Sequence, residues 1–163
     1  MDVNDCVAEV EALLRRVVGP DLEIRTALDP GLPRITAVAS DVEMVLLNLV
    51  LNARDAVVGP GWIEIRTRGE AAHGAERWPH VVLSVADSGV GMDPETLSRV
   101  FEPFFTTKRE GRGTGLGLSI TYGLVKKLHG DIAVQSTPGE GTTFVVSLPV
   151  RVEGKTENES SAG

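Results

Sequence analysis

Apolar residues along the chain switch between two rhythms. Val3, Val7, Val10, Leu14 and Val17 recur at three- and four-residue steps, which predicts an amphipathic helix over 3–18, stopped by Gly19-Pro20. Leu22, Ile24, Thr26 and Leu28 then alternate with other residues, as in a half-buried strand. Pro30, Gly31 and Pro33 mark a turn, and a short strand is expected from Ile35 to Val38. Ser40 and Glu43 have the spacing of a capping box and open a long apolar run, predicting a helix over 41–58 ended by Gly59-Pro60-Gly61. Alternation returns at 62–68, and residues 69–79 read as a loop. The stretch 80–87 is apolar on both faces, as in a central strand.

Asp93 and Pro94 suit the cap and first position of a short helix through Val100. A long loop over 101–115 precedes a helix at about 116–129, with Gly130 as its C-cap. Strands at 131–136 and 142–148 flank TPGEG and form a hairpin. Residues 151–163 are almost wholly polar and are expected to be a disordered tail behind a single domain over 1–150. There is no internal repeat. The order of elements predicts an α/β two-layer sandwich, a mixed sheet covered on one face by helices.

Composition narrows the classes of function. The 163 residues suffice for one domain with a core, and a net charge of −7 argues against a nucleic-acid binder. Cys6 is the sole cysteine, so no intrachain disulfide exists and a reducing, cytoplasmic compartment is expected. No apolar run approaches the ~18 residues of a membrane span, and the first residues lack the basic start and apolar block of a signal peptide.

Four stretches carry candidate chemistry. On the helix LLNLVLNARDAV, the residues Asn48, Asn52 and Asp55 fall in one stripe beside the apolar face. Amides there either bond to backbone and water or serve as neutral oxygen ligands for a hydrated cation such as Mg²⁺. In SVADSGVGMD, Asp87 ends the central strand just before Gly89 and Gly91. That pattern suits an Asx-turn, or a carboxylate that accepts from an exocyclic amine while glycines admit a flat ring. In GRGTGLGLSI, Gly111, Gly113, Gly115 and Gly117 alternate just before a helix, so backbone N–H groups can converge on an anion. It matches neither the P-loop nor the dinucleotide fingerprint. Finally, FEPFFTTKREGR concentrates Phe101, Phe104 and Phe105 beside Lys108, Arg109 and Arg112, as in a hinged lid or an apolar anchor with a solvated charge cluster.

The order of these stretches is more specific than any one of them. Asn-x3-Asn on a helix, then Asp-x-Gly-x-Gly, Phe-Glu-Pro-Phe-Phe and Gly-Thr-Gly-Leu-Gly-Leu resembles the N, G1, F and G2 boxes of sensor histidine kinases. The resemblance runs from about Val3 to Pro149 and implies a Bergerat-type sandwich with a long ATP lid, over residues 93–113. It implies ATP and Mg²⁺ as cofactors. Asp87 would recognise the adenine amine, with Gly89, Gly91 and Met92 shaping the pocket. Asn52 would hold Mg²⁺, with Asn48 and Asp55 on the same stripe toward metal or phosphate. Thr107, Lys108 and Arg112 would face the phosphates from the lid, Lys108 being the favoured catalytic cation. Gly113, Thr114, Gly115, Leu116, Gly117 and Leu118 would present backbone to the phosphates. Thr143 would line the water-mediated adenine edge, its register against Thr142 left open.

Hydrolysing members of that superfamily carry a glutamate four residues before the metal asparagine. Asn48 in that slot is a poor general base, which favours phosphotransfer over hydrolysis. Many kinase members have a lysine where this chain has Asp55. None of His73, His80 and His129 has the context of a phosphoacceptor, so the phosphorylated histidine is expected on a dimerisation domain elsewhere in the parent protein. Residues 3–18 are then a helix of this domain or the end of that hairpin. A response regulator receiver domain is the expected downstream partner, and the chain alone is expected to be monomeric. A non-catalytic nucleotide-binding module and an anti-sigma-type serine kinase are the alternatives.

Overall fold

A computed structural model describes residues 1–75, 78–105 and 117–150. Nine elements follow in order: α1 (Val3–Val18), β1 (Leu22–Leu28), α2 (Ala39–Ala56), β2 (Gly61–Glu70), β3 (His80–Asp87), α3 (Pro94–Arg99), α4 (Gly117–Lys127), β4 (Asp131–Thr137) and β5 (Gly141–Pro149). The strands form one sheet in the order β1-β2-β3-β5-β4, with β1 parallel to β2 and the other neighbours antiparallel. The expected mixed sheet with β3 at its centre is present.

Register explains why one face is covered. Ile63, Ile65 and Thr67 of β2 stand opposite Asp87, Val85 and Leu83 of β3, and these stand opposite Thr142, Phe144 and Val146 of β5. All nine side chains are buried, since residues paired across a ladder point to the same face. The other face carries Glu23, Arg25, Glu64, Arg66 and Arg68, several of them in ion pairs along their own strand. Helices therefore need to cover only one side. α2 packs on β3 with α1 on one flank and α4 on the other, and α1 also reaches β1 while α4 reaches β4. The α1 residues Val3, Cys6, Val7 and Leu14 are within the core, so this helix is part of the packed domain.

Three local expectations differ from the structure. Residues 35–38 form no strand; Ile35 instead exchanges backbone hydrogen bonds with Met1, at 2.9 and 2.6 Å. The helix α2 starts two residues early, and its N-cap is Val38, with no side-chain cap. Asp41 is drawn elsewhere, to Lys127 on α4 at 2.8 Å, so a tertiary ion pair engages the carboxylate of that first turn. Finally, the left-handed position that closes α4 is taken by His129 rather than Gly130. His129 adopts φ 60°, its N–H bonds Lys126 O and the Gly130 N–H bonds Val125 O. This is a Schellman motif with histidine in the left-handed position. Between β4 and β5, Pro138 and Gly139 occupy the centre of a type II turn closed by Glu140 N–H to Thr137 O at 3.0 Å. Among the described residues no helix is long and apolar enough to cross a membrane.

Candidate functional site

The stripe on α2 survives folding as drawn. Val42, Val45, Leu46, Leu49, Val50 and Ala53 take the buried face, leaving Asn48 and Asn52 half-buried at its margin and Asp55 exposed. Asp55 pairs with Arg54 at 3.1 Å. Neither asparagine amide has a hydrogen-bond partner among the described residues. Two half-buried amides without internal partners are a donor set open to a ligand. A single neutral amide oxygen suits Mg²⁺, which takes most of its ligands from phosphates and water, and the described residues contain no His/Cys/Asp/Glu cluster able to hold a metal unaided.

Asp87 lies at the end of β3 and is 3% exposed. Burial pushes its carboxyl above the ordinary aspartate range, against the backbone N–H groups of Gly89 and Thr142, which favour the charged form. Gly89 N–H donates at 2.8 Å. The glycines beside it answer to neighbouring backbone. A Cβ on Gly89 would lie 2.6 Å from the Ala56 carbonyl oxygen, and one on Gly91, where φ is 71°, would collide with the Thr137 carbonyl. Hydrogen bonds run along the same contacts: Val90 N–H to Ala56 O at 2.9 Å, and Gly139 N–H to Val90 O at 2.7 Å. The loop after β3 is thus stitched between the last turn of α2 and the β4–β5 turn. Its glycines permit that approach, which brings Asp87 to the Asn52 end of α2. Met92 continues the loop, half-buried, and donates its N–H to Ser136 Oγ at 2.8 Å.

The helix α4 points its N-terminus the same way. Lys127 near its C-terminal end is paired with Asp41 in the first turn of α2, so the two packed helices run antiparallel. Ten residues back from Lys127 is Gly117, and ten forward from Asp41 is Leu51, beside Asn52; at 1.5 Å per residue both spans are about 15 Å. Gly117 and the half-buried Leu118 therefore lie level with Asn52, and the positive end of α4 faces that end of the site. Thr107, Lys108, Arg112, Gly113, Thr114, Gly115 and Leu116, with residues 106–113 of the expected lid, lie outside the described residues, as does the tail 151–163. Of the lid's phenylalanines, Phe101 packs against Tyr122 and Phe144 with ring centroids 5.5 and 6.2 Å away. Phe105 sits under the Arg99 guanidinium at 4.5 Å, while Phe104 is 75% exposed.

One position shifts. Thr143 is paired with Ala86 and points to the sheet's uncovered face; Thr142 is paired with Asp87, on its face and buried. Thr142, not Thr143, is the threonine beside the carboxylate. The period-two run Thr142, Phe144, Val146, Leu148 carried that register in the sequence. Ser136, which no motif marks, hydrogen-bonds Thr142 Oγ1 at 2.7 Å.

The family model for histidine kinase-, DNA gyrase B-, and HSP90-like ATPases matches residues 37–152. The sensor kinase CckA of Brucella abortus is 39% identical over an alignment of 168 residues that covers 98% of this chain and 18% of that protein. The two-component sensor PprA of Pseudomonas aeruginosa is 48% identical over 114 residues, 69% of this chain and 12% of its own. The chain thus spans under a fifth of either curated relative. Among solved structures, the mycobacterial sensor histidine kinase MprB superposes with a TM-score of 0.77 at 26% identity, covering 93% of this chain and 97% of that one. Full-length ShkA in complex with AMPPNP superposes with a TM-score of 0.76 at 28% identity, over 95% of this chain and 31% of that one. By sequence and by fold, the chain belongs to the histidine kinase-, DNA gyrase B-, and HSP90-like ATPase family, as a catalytic ATP-binding domain of the sensor histidine kinase type.

Proposed function

We propose that this domain binds Mg-ATP and hands the γ-phosphate to a histidine on a dimerisation domain of its parent protein, the phosphate passing on to a response regulator. The observation that carries the reading is convergence: Asp87, the Asn52 turn of α2 and the N-terminus of α4 meet at one end of the sheet. Asp87 accepts from the adenine amine, Thr142 lines the same edge, and Asn52, supported by Asn48, holds Mg²⁺. The metal supplies charge neutralisation on the triphosphate. The chain's own part is to position: the α4 N-terminus and the glycines before it present N–H groups to the phosphates, and Lys108 and Arg112 add positive charge. An imidazole acceptor is already nucleophilic, so an amide at position 48 suffices where a hydrolase needs a base. A cytoplasmic location follows from the need for ATP.

The test supplies a dimerisation domain from a sensor kinase such as CckA in trans and follows transfer from [γ-³²P]ATP. Asn52→Ala should lower transfer by about a hundredfold or more, the cost of a lost interaction to the transferring group, while leaving the thermal midpoint of the nucleotide-free domain unchanged. Wild-type activity in this variant would remove Asn52 from the site. ATP binding without transfer to any supplied histidine would favour a non-catalytic nucleotide-binding module.

A further inference from the structure

Ser136 is the centre of a small hydrogen-bond cluster whose proton count can be closed. Its Oγ accepts from Met92 N–H at 2.8 Å, lies 3.1 Å from the Gly141 carbonyl, and lies 2.7 Å from Thr142 Oγ1. A serine hydroxyl has one proton and two acceptor sites. The amide of Met92 can only donate and the Gly141 carbonyl can only accept. Ser136 therefore accepts from Met92 and donates to Gly141, which leaves its second lone pair for the Thr142 proton. Thr142 must then donate to Ser136, and whatever else meets Thr142 Oγ1 meets lone pairs alone. Asp87, paired with Thr142 across the ladder, is likewise acceptor-only when ionised. The alternative, a Ser136 proton given to Thr142, leaves Gly141 O without this donor.

We infer that Ser136 is a specificity-determining positioning residue: by taking the Thr142 proton it fixes the Asp87–Thr142 edge as acceptor-only, which selects a 6-aminopurine over a 6-oxopurine. This rests on the nucleotide reading above and adds to it the group that sets the polarity of the base edge. Adenine offers that edge an amine with two protons. At C6 hypoxanthine offers an oxygen in place of that amine, and this oxygen faces lone pairs and loses both of the amine's contacts. Ser136 touches no nucleotide itself and acts through Thr142. Freed of Ser136, the Thr142 hydroxyl can rotate and donate, and the oxygen of a 6-oxopurine becomes acceptable.

The test measures dissociation constants for Mg-ATP and Mg-ITP by calorimetry on the full chain, with thermal midpoints recorded for each variant. Wild type should prefer ATP. Ser136→Ala should weaken ATP and tighten ITP, so that their ratio falls by about tenfold, the size of one hydrogen bond. A second variant, Thr142→Val, leaves the Ser136 bonds to Met92 and Gly141 in place. It should weaken ATP and leave ITP unchanged. In the Thr142→Val background, Ser136→Ala should no longer alter the ratio, because its route has been cut. Equal weakening of both nucleotides by Ser136→Ala, or an effect that persists in the double variant, would assign Ser136 a purely structural role and overturn the inference. So would Thr142→Val that weakens ITP rather than ATP. A wild-type chain that binds neither nucleotide overturns the ATP reading itself, an outcome distinct from all of these.

Discussion

Asp87 is held where a carboxylate is least comfortable. Its surroundings are core, and two backbone N–H groups offset only part of the lost hydration. Because its folded pKa is raised, the folded state binds the proton more tightly than the unfolded chain does. Its contribution to stability is then fully present below the ordinary aspartate pKa and is lost as pH rises through the raised value. Asp87→Asn removes that penalty and keeps an oxygen for Gly89 N–H. The variant should raise the thermal midpoint of the nucleotide-free domain at pH 7. The gain should shrink toward zero as pH falls through the aspartate range, while Mg-ATP affinity drops at least about tenfold with the lost charged acceptor. Thermal unfolding across a pH series, with calorimetry at pH 7, checks both. A lower midpoint at pH 7 would mean that the charge is stabilising and that its burial serves the fold. Cys6 is the contrasting buried group: its thiol is pushed up to about 11, chiefly by burial, and it acts as a small apolar filler.

Among the elements, α4 shows how termini align the site. Its C-terminal end is tied twice, by Lys127 to Asp41 and by Lys126 to Asp131, while its N-terminus opens toward Asn52. The Schellman motif that ends it places an exposed histidine at φ 60°, a conformation that favours glycine by up to about 1 kcal/mol. His129→Gly should therefore stabilise the domain by up to about 1 kcal/mol, read as a higher denaturant midpoint with an unchanged slope. A lower midpoint would show that the histidine ring makes compensating contacts. The loop after β3 is the other aligning element. Gly91 is legible as a special glycine from its neighbours in sequence, but its partner, the Thr137 carbonyl, comes from a turn 46 residues downstream. Local pattern announces that backbone will approach there and is silent on what approaches.

For the whole molecule, the helices cover one face of the sheet and the site opens at one end of that covered layer. A ligand that binds only this assembled end stabilises the entire fold. At a hundredfold excess over its dissociation constant, Mg-ATP should add about 2.7 kcal/mol, which for a domain of this size raises the thermal midpoint by about 5–10 °C. Differential scanning fluorimetry with Mg-ATP, with ATP plus EDTA, and with Mg²⁺ alone separates the contributions. A midpoint unmoved by millimolar Mg-ATP would contradict the site's assembly.

The alternations and helical steps of the sequence specified all five paired strands and the main helices within a few residues, because each periodicity records one buried face. The ordered motifs on them were enough to identify the family. Tertiary structure decided the rest. Lys127 holds Asp41 at the start of α2, His129 and not Gly130 takes the left-handed position, and Ile35 bonds Met1 where a strand was expected. It also joined Ser136 of β4 to Thr142, the neighbour of Asp87 on β5. These depend on which distant backbone or charge arrives at a given place, and a one-residue change of register reverses the face of a side chain.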